Sequence, residues 1–179
     1  IAANEDARWW DRGRRAIITR LFAPHFSRVK APRILSAGCG TGGELRFLSR
    51  FGRVTGVDAH DEAIGYCRAA GLGDSVIKAE VEALPFPDRA FDFIFALDLL
   101  EHVPDDIRAL RELRRTLRDD GLVCFTVPAF PWLWSRSDER EHHHRRYRRE
   151  DLVAHLREAG FTPIRVTYFN AFLFVPIAL

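Results

Sequence analysis

Arg33-Ile34-Leu35-Ser36-Ala37-Gly38-Cys39-Gly40-Thr41-Gly42-Gly43 is the stretch on which the fold is decided. A short apolar strand runs into a cluster of glycines. Beyond them Leu45, Phe47, Leu48 and Phe51 mark a helix that stops at Gly52. Glycines permit a tight turn and close approach of backbone to a ligand. The helix start that follows offers unpaired N–H groups and a partial positive charge. A second strand over 53–57 ends at Asp58, where an acid can accept both hydroxyls of a ribose.

Outward from this unit the pattern repeats. A helix over 61–70 closes on Gly71, and a third strand covers 75–79. Pro85 and Pro87 make 84–88 a loop, because neither can sit inside a ladder or helix. Residues 91–97 are almost continuously apolar, as expected of a strand buried on both faces. Asp105 or Asp106 caps a helix whose inner face is Ile107, Leu110, Leu113 and Leu117. Asp120-Gly121 turns into a strand over 122–127, stopped by Pro128. Residues 129–149 show no period and read as an active-site loop or lid. A helix over 150–159, with Leu152, Val153 and Leu156 inward, stops at Gly160, and 161–169 reads as a last strand. Upstream, 4–27 reads as a helix through Trp9, Ala16, Ile17, Arg20, Leu21 and Phe22, punctuated by Pro24 and Pro32. Alternation of this kind predicts an α/β, doubly wound, mostly parallel sheet with helices on both faces. The expected layout is a single domain over 1–179: a helical cap at 1–30, a cofactor-binding core at 31–128, a lid and acceptor loop at 129–149, and a C-terminal helix and strand at 150–179.

Composition sets the outer limits. The 179 residues are 47% hydrophobic and 29% charged, which suits one globular domain and excludes a disordered chain. The balance of 27 basic against 25 acidic residues excludes a global nucleic-acid field. Only Lys30 and Lys78 are lysines and there is no Met, a bias of genomic composition more than of function. Cys39, Cys67 and Cys124 have no zinc-type spacing, so a reducing, intracellular setting is expected. The opening residues show no charged stretch followed by an apolar one, so no signal peptide is expected among them. The longest apolar run, 171–179, falls far short of the ~20 residues of a spanning helix.

Gly38, Gly40 and Gly43 satisfy the dinucleotide pattern, so the loop alone leaves a nicotinamide dinucleotide and S-adenosylmethionine both open. The segments downstream separate them. Residues 34–42 resemble motif I of the class I S-adenosylmethionine-dependent methyltransferases. Residues 80–88 resemble that family's adenine-side loop, Phe91-Asp92-Phe93-Ile94 and 99–105 its fourth strand and following segment, and Asp120-Gly121-Leu122-Val123 its turn into strand five. The resemblance covers about 33–169 and implies a Rossmann-like methyltransferase fold, lacking its last strand unless 171–179 supply it. It implies that Ala37, Gly38, Cys39, Gly40 and Gly42 line the methionine portion, that Asp58 and Ala59 meet the ribose, and that Glu80 and Val81 meet the adenine edge. Leu97 and Asp98 would lie beside the methionine amino and carboxylate groups. Where the family has an acid, this chain has Ser36, which removes one charge facing the methionine ammonium.

Trp9-Trp10, followed by Arg12, Arg14 and Arg15, resembles a helix of a methyltransferase type 11/12-like bacterial subgroup. So do Trp132-Leu133-Trp134-Ser135, the run from Asp138 and Glu139 through His143 to Arg145-Arg146-Tyr147, and Tyr168-Phe169-Asn170. Asp11 stands where that subgroup has Phe. The implied site is an acceptor pocket with Trp9, Trp10, Trp134, Arg145, Arg146 and Tyr147 as substrate-binding residues. His143 is the candidate general base, with His102 as a second candidate; the bland reading is that His143 orders the lid through Asp138 or Glu139. His142, His143 and His144 as a run cannot converge on one ion, so no metal is expected. The arginine run is read first as a solvated face, and otherwise as a fork for a phosphate or carboxylate.

The expected activity is S-adenosylmethionine-dependent methyl transfer to a small-molecule or lipid- or glycan-linked acceptor, by O-methylation. The alternatives are an NAD(P)-dependent oxidoreductase and a non-catalytic S-adenosylmethionine-binding domain. The expected setting is a bacterial cytoplasm, with peripheral membrane contact through the C-terminal apolar segment as a further option and no nucleic-acid partner.

Overall fold

The computed structural model describes residues 9–169, with the side chain of Trp10 outside that description. Its strands are β1 (Arg33–Ala37), β2 (Arg53–Asp58), β3 (Val76–Lys78), β4 (Phe91–Leu97) and β5 (Leu117–Thr126). Its helices are α1 (Trp9–Phe26), α2 (Gly43–Leu48), α3 (Asp61–Ala69), α4 (Asp106–Thr116), α5 (Arg136–Arg140) and α6 (Arg149–Glu158). The five strands form one sheet in the order β3-β2-β1-β4-β5, and every pairing is parallel. The order reverses between β1 and β4, the doubly wound arrangement expected of the alternating pattern.

Because successive side chains on a strand face opposite ways, the apolar runs of β1 and β4 divide between two cores. Leu35, Ile94 and Ala96 pack with Leu110, Leu113 and Leu156 beneath α4 and α6. Ile34, Phe93 and Phe95 pack with Ile18, Phe22, Phe26, Leu45 and Ile64 beneath α1, α2 and α3. On that second face Phe26 meets Phe93 at 4.7 Å, edge to face, and Phe22 meets Phe95 at 4.9 Å. Helix ends follow their glycines. At α3 the N–H of Gly71 donates to Arg68 O and that of Leu72 to Cys67 O. Gly160 and Phe161 repeat the same pair of bonds at α6. Both glycines have positive φ, which this closure requires.

Four expectations are corrected. On α1 the inward stripe is Ile18, Phe22 and Phe26, spaced by four, whereas Ile17 and Leu21 are exposed. Pro24 falls within the last turn of α1, as the expected helix over 4–27 has it, but Leu117, expected on the inner face of α4, turns to extended backbone after that helix and opens β5. Asp120-Gly121 does not break the chain: β5 starts at Leu117, and three surplus residues bulge out between Leu117, paired with Phe91, and Leu122, paired with Phe93. Residues 161–169 form no strand. A strand needs a hydrogen-bonding neighbour, and among the described residues β5 is the sheet edge and pairs only with β4. The 4–8 portion of the expected first helix and the apolar tail from 170 onward lie outside the described residues.

Gly52, between α2 and β2, sits so close to the preceding connection that a Cβ would come within 2.3 Å of the Pro32 carbonyl oxygen. Gly52→Ala is therefore expected to lose about 1–3 kcal/mol, seen as a melting temperature lower by roughly 2–10 °C. An unchanged urea midpoint would show that this approach is not a constraint.

Candidate functional site

The reversal of strand order places two loops apart at the carboxyl ends of β1 and β4. In the first, Gly38, Gly40 and Gly42 all have positive φ (69°, 50° and 88°), which side-chain-bearing residues rarely adopt. The N–H groups of Gly38 and Cys39 both donate to Val57 O on β2 (2.8 and 2.9 Å). That of Gly40 donates to Asp58 Oδ2 (2.9 Å), so the loop is clasped to the tip of β2. A Cβ on Gly40 would meet nothing within 4 Å, so the loop faces open space there. His60 N–H holds the other Asp58 oxygen at 3.0 Å. Ala59 follows β2 directly and Glu80, exposed, lies just beyond β3, so both sit on the same carboxyl edge. Ala37 and Cys39 are buried, and the Val81 side chain belongs to the core, which leaves its backbone to face a ligand. Burial, reinforced by Cys67 and Asp58, pushes the Cys39 thiol up, so it is an inert packing group.

On the other side, Leu97 ends β4 and Asp98 takes a positive φ of 52°. The Asp98 N–H and carboxylate are both bonded to Thr126 on β5 (3.0 and 2.8 Å). Arg14 of α1 reaches across the cleft to Asp98 Oδ2, Glu44 Oε1 (3.0 Å) and Asp11 Oδ1 (3.2 Å). Burial alone would lower the pKa of its guanidinium, but the three carboxylates outweigh it and hold it above the ordinary value. Arg14 Nε and Glu44 Oε2 are buried with no hydrogen-bond partner. Two unsatisfied polar atoms of opposite character beside an open glycine loop suit a zwitterionic ligand end. Ser36 is buried in β1. Sequence reasoning missed the place of Arg14; the available signal was Asp11 and Arg14 one helical turn apart after the Trp pair.

The 129–149 segment, the expected lid, is fastened by two buried aspartates. Ser135 caps α5, and Asp138 returns the bond three residues on. The Asp138 carboxylate accepts from Ser135 N (2.8 Å), Ser135 Oγ (3.0 Å) and two nitrogens of Arg146 (2.7 and 2.9 Å), and faces His143 Nδ1 (3.0 Å). Burial alone would push its carboxyl up; these partners hold it well below the usual carboxylate range. Asp106, at the start of α4, accepts from Tyr147 Oη (2.8 Å), faces His155 Nδ1 (3.0 Å) and pairs with Arg145 (3.1 Å). The Tyr147 hydroxyl is buried, and burial together with Asp106 raises its pKa. Arg145, Arg146 and Tyr147 are thus engaged inside the protein, a use as lid fasteners that differs from the expected contact with an acceptor.

Between lid and cleft lie the two expected catalytic imidazoles. The His102 and His143 rings meet edge to face at 4.7 Å. His102 remains exposed on its outer side, while partial desolvation of its ring, together with His143, keeps it below its ordinary pKa. Glu101 is 1% exposed; burial pushes its carboxyl up to about 8, with Asp98, Glu141 and Asp138 acting in the same direction. Of the expected acceptor aromatics, Trp9 and Trp134 are exposed. Phe130, also at positive φ, stacks on Tyr168 (5.0 Å) and meets Trp132 (5.9 Å), forming an aromatic rim on the lid.

Residues 35–125 match the family described as a methyltransferase domain. The chain is 29% identical over 170 residues to malonyl-[acyl-carrier protein] O-methyltransferase of Enterobacter lignolyticus, covering 91% of this chain and 64% of the relative. It is 30% identical over 159 residues to a probable S-adenosylmethionine-dependent methyltransferase of Mycobacterium tuberculosis, covering 87% and 57%. It thus spans about three-fifths of the length of these relatives. In fold it is similar to the structure of a putative sarcosine dimethylglycine methyltransferase from Galdieria sulphuraria, with a TM-score of 0.72, 20% identity, and coverage of 87% of this chain and 63% of that one.

The anchoring of the lid through Asp106 has a pH signature. Burial would raise its carboxyl, but Tyr147, Arg145 and His155 lower it on balance. A folded-state pKa below the unfolded value of about 3.9 stabilises the protein above that value and stops doing so as the pH falls through the folded one. Asp106→Asn is expected to cost about 1–3 kcal/mol at pH 7, with the gap to the parent narrowing below about pH 4. Urea titrations at both pH values check this; a gap independent of pH would remove the anchor role.

Proposed function

The chain belongs to the class I S-adenosylmethionine-dependent methyltransferases, and from that premise we propose that it transfers the sulfonium methyl group to an oxygen of a small-molecule or lipid- or glycan-linked acceptor. The observation that carries the proposal is the adjacency of the two half-sites. Asp98, on the rim of the glycine-loop cleft, runs directly into the 3-10 turn Leu100–His102 that carries Glu101 and His102, and the His102 ring meets His143, so a donor in the cleft lies next to an ionisable cluster.

The residues present fit the donor. The Asp58 carboxylate at the tip of β2 accepts the ribose hydroxyls, and the open space at Gly40 admits the ligand against bare backbone. For the amino-acid end, one nitrogen of Arg14 (Nε) and one oxygen of Glu44 (Oε2) have no hydrogen-bond partner, although both side chains are otherwise paired. In this reading Arg14 receives the carboxylate, while Glu44 and Asp98 face the ammonium and take over the charge that Ser36 does not supply. Transfer is an in-line displacement: the S–CH3 bond breaks with its electron pair going to sulfur, and the O–CH3 bond forms. A sulfonium is already a reactive donor, so the protein mainly aligns the pair and excludes water. A hydroxyl acceptor must also lose its proton, and Glu101, His102 and His143 are the groups beside it. The aromatic rim of Phe130, Trp132 and Tyr168 supports an acceptor with an apolar portion. The E. lignolyticus relative, by its name an O-methyltransferase, supports oxygen as the methylated atom.

Calorimetry separates this from a nicotinamide enzyme. S-adenosylhomocysteine is expected to bind and NAD not to bind; the reverse result overturns the reading. Arg14→Gln is expected to weaken S-adenosylhomocysteine about 10- to 100-fold, the worth of one or two charge-assisted hydrogen bonds. It should leave 5′-methylthioadenosine, which lacks the amino-acid end, unchanged. Label from methyl-labelled donor, incubated with organic extracts of bacterial cells, is expected in an apolar product, and no incorporation together with tight donor binding would favour a binding domain.

A further inference from the structure

Resting on the acceptor side of that reading, we propose that Glu101, His102 and His143 together bind a divalent first-row transition-metal ion, a two-histidine, one-carboxylate site with zinc-type chemistry. One ligand atom from each of the three lies within 4.8 Å of the others. Metal–ligand bonds of about 2.1 Å place tetrahedral donors roughly 3.4 Å apart. Closing on an ion therefore asks only a small movement, which the exposed His102 ring can supply by rotation.

The backbone already holds the three in place. Glu101 and His102 lie on the short 3-10 turn Leu100–His102 that follows β4. The His144 N–H donates to Glu101 O at 2.7 Å, stitching the lid to that turn beside His143. His143 arrives from a different part of the sequence, so spacing within the run His142-His143-His144 cannot reveal the site. His142 and His144 are exposed, and only His143 turns inward to this cluster.

Three features call for a cation there. Glu101 Oε2 is buried without any hydrogen-bond partner; such an orphaned carboxylate oxygen is rare in folded proteins and costly when left unmet. The surrounding charge is negative, since Asp98, Glu141 and Asp138 all act on Glu101, while the nearby arginines face other groups: Arg14 faces Asp98, Arg145 faces Asp106 and Arg146 faces Asp138. Finally, His143 stands between two carboxylates, with Nδ1 at 3.0 Å from Asp138 Oδ1 and Nε2 at 3.4 Å from Glu141 Oε2. An N–H on Nδ1 serves Asp138 and leaves a lone pair on Nε2 directed toward a second anion, a position that a metal ion reconciles. A carboxylate that orients a ligating imidazole from behind is the usual outer shell of a metal-bound histidine, and Asp138 is itself fixed by Ser135 and Arg146. An ion held there would lower the pKa of a hydroxyl bound to it.

The test is titration of chelator-treated full chain with Co2+, followed by its visible absorption and by equilibrium dialysis, then displacement by Zn2+. The expected result is one equivalent bound with the absorption of a nitrogen- and oxygen-ligated site. Binding should be at least about tenfold weaker in Glu101→Gln and in His102→Ala. His102 is exposed, so its variant keeps its melting temperature even if the Glu101 variant does not fold. Absence of stoichiometric Co2+, or equal Co2+ binding by the parent and His102→Ala, overturns the proposal. S-adenosylhomocysteine calorimetry on the same samples keeps the two readings apart: donor binding without metal binding removes only the metal site, and metal binding without donor binding removes only the donor assignment.

Discussion

The reversal of strand order between β1 and β4 is the constraint on which the carboxyl edge depends. Crossovers between parallel strands are right-handed, so the connections on either side of that point go to opposite faces, α2 and α3 to one and α4 and α6 to the other. The loops that begin them must part, and a crevice opens that neither helix layer can fill. β1 then has to serve two neighbours over the same residues, Ile34 to Ala37 pairing with β2 and with β4 at once. A strand so enclosed cannot shift its register, and the glycine loop at its end inherits that fixity. Gly56 tightens the arrangement: a Cβ there would lie 2.8–2.9 Å from Leu45, so its absence lets α2 settle directly on β2.

The lid is built on a different principle. Its apolar content is sparse and partly exposed, and what secures it is a pair of buried aspartates with saturated bonding. Burying a carboxylate is unfavourable unless its oxygens are fully used, and Asp138 with five close donors meets that condition. Such networks are directional, which fits a segment that must present particular side chains rather than merely cover a core. The left-handed backbone of Phe130 and His142 falls within the same segment. Strain of this kind persists where the surroundings over-determine it, as they do around a binding site.

How far the sequence disclosed this differs by layer. The strands of the core were readable because apolar runs bounded by glycine and proline leave few alternatives, and β4 matches its expected limits residue for residue. The glycine loop and Asp58 were readable for the same reason: backbone chemistry demands those residue types at those places. Ile17 and Leu21 misled because an apolar residue on a helix is no proof of burial, and only the spacing of Ile18, Phe22 and Phe26 marks the true face. Residues 161–169 have strand-like content, but strand formation depends on a neighbour that local content cannot show. Arg14, Asp106 and Glu101 were hidden because each acts through partners distant in sequence. The pattern Ser135-x-x-Asp138 was a capping signal available to inspection, and it leads directly to the residue behind His143.

Ser36 joins these layers. Losing an acid on β1 would leave a bound ammonium short of a counter-charge, and the serine is too buried to be compensated by solvent. In the proposed donor site that deficit falls to two other elements, Glu44 on α2 and Asp98 after β4, and Arg14 of α1 is seated between them. A cation bridging two anions keeps the cleft from accumulating like charges, since close carboxylates without one would repel. The same guanidinium retains one unmatched N–H, the buried Nε, while its other nitrogens hold the carboxylates. Charge that the family pattern places on a single strand is here distributed over a helix, a loop and an N-terminal cap. In the proposed donor assignment the cap is therefore part of the site, and its electrostatics depend on how α1 packs against the sheet.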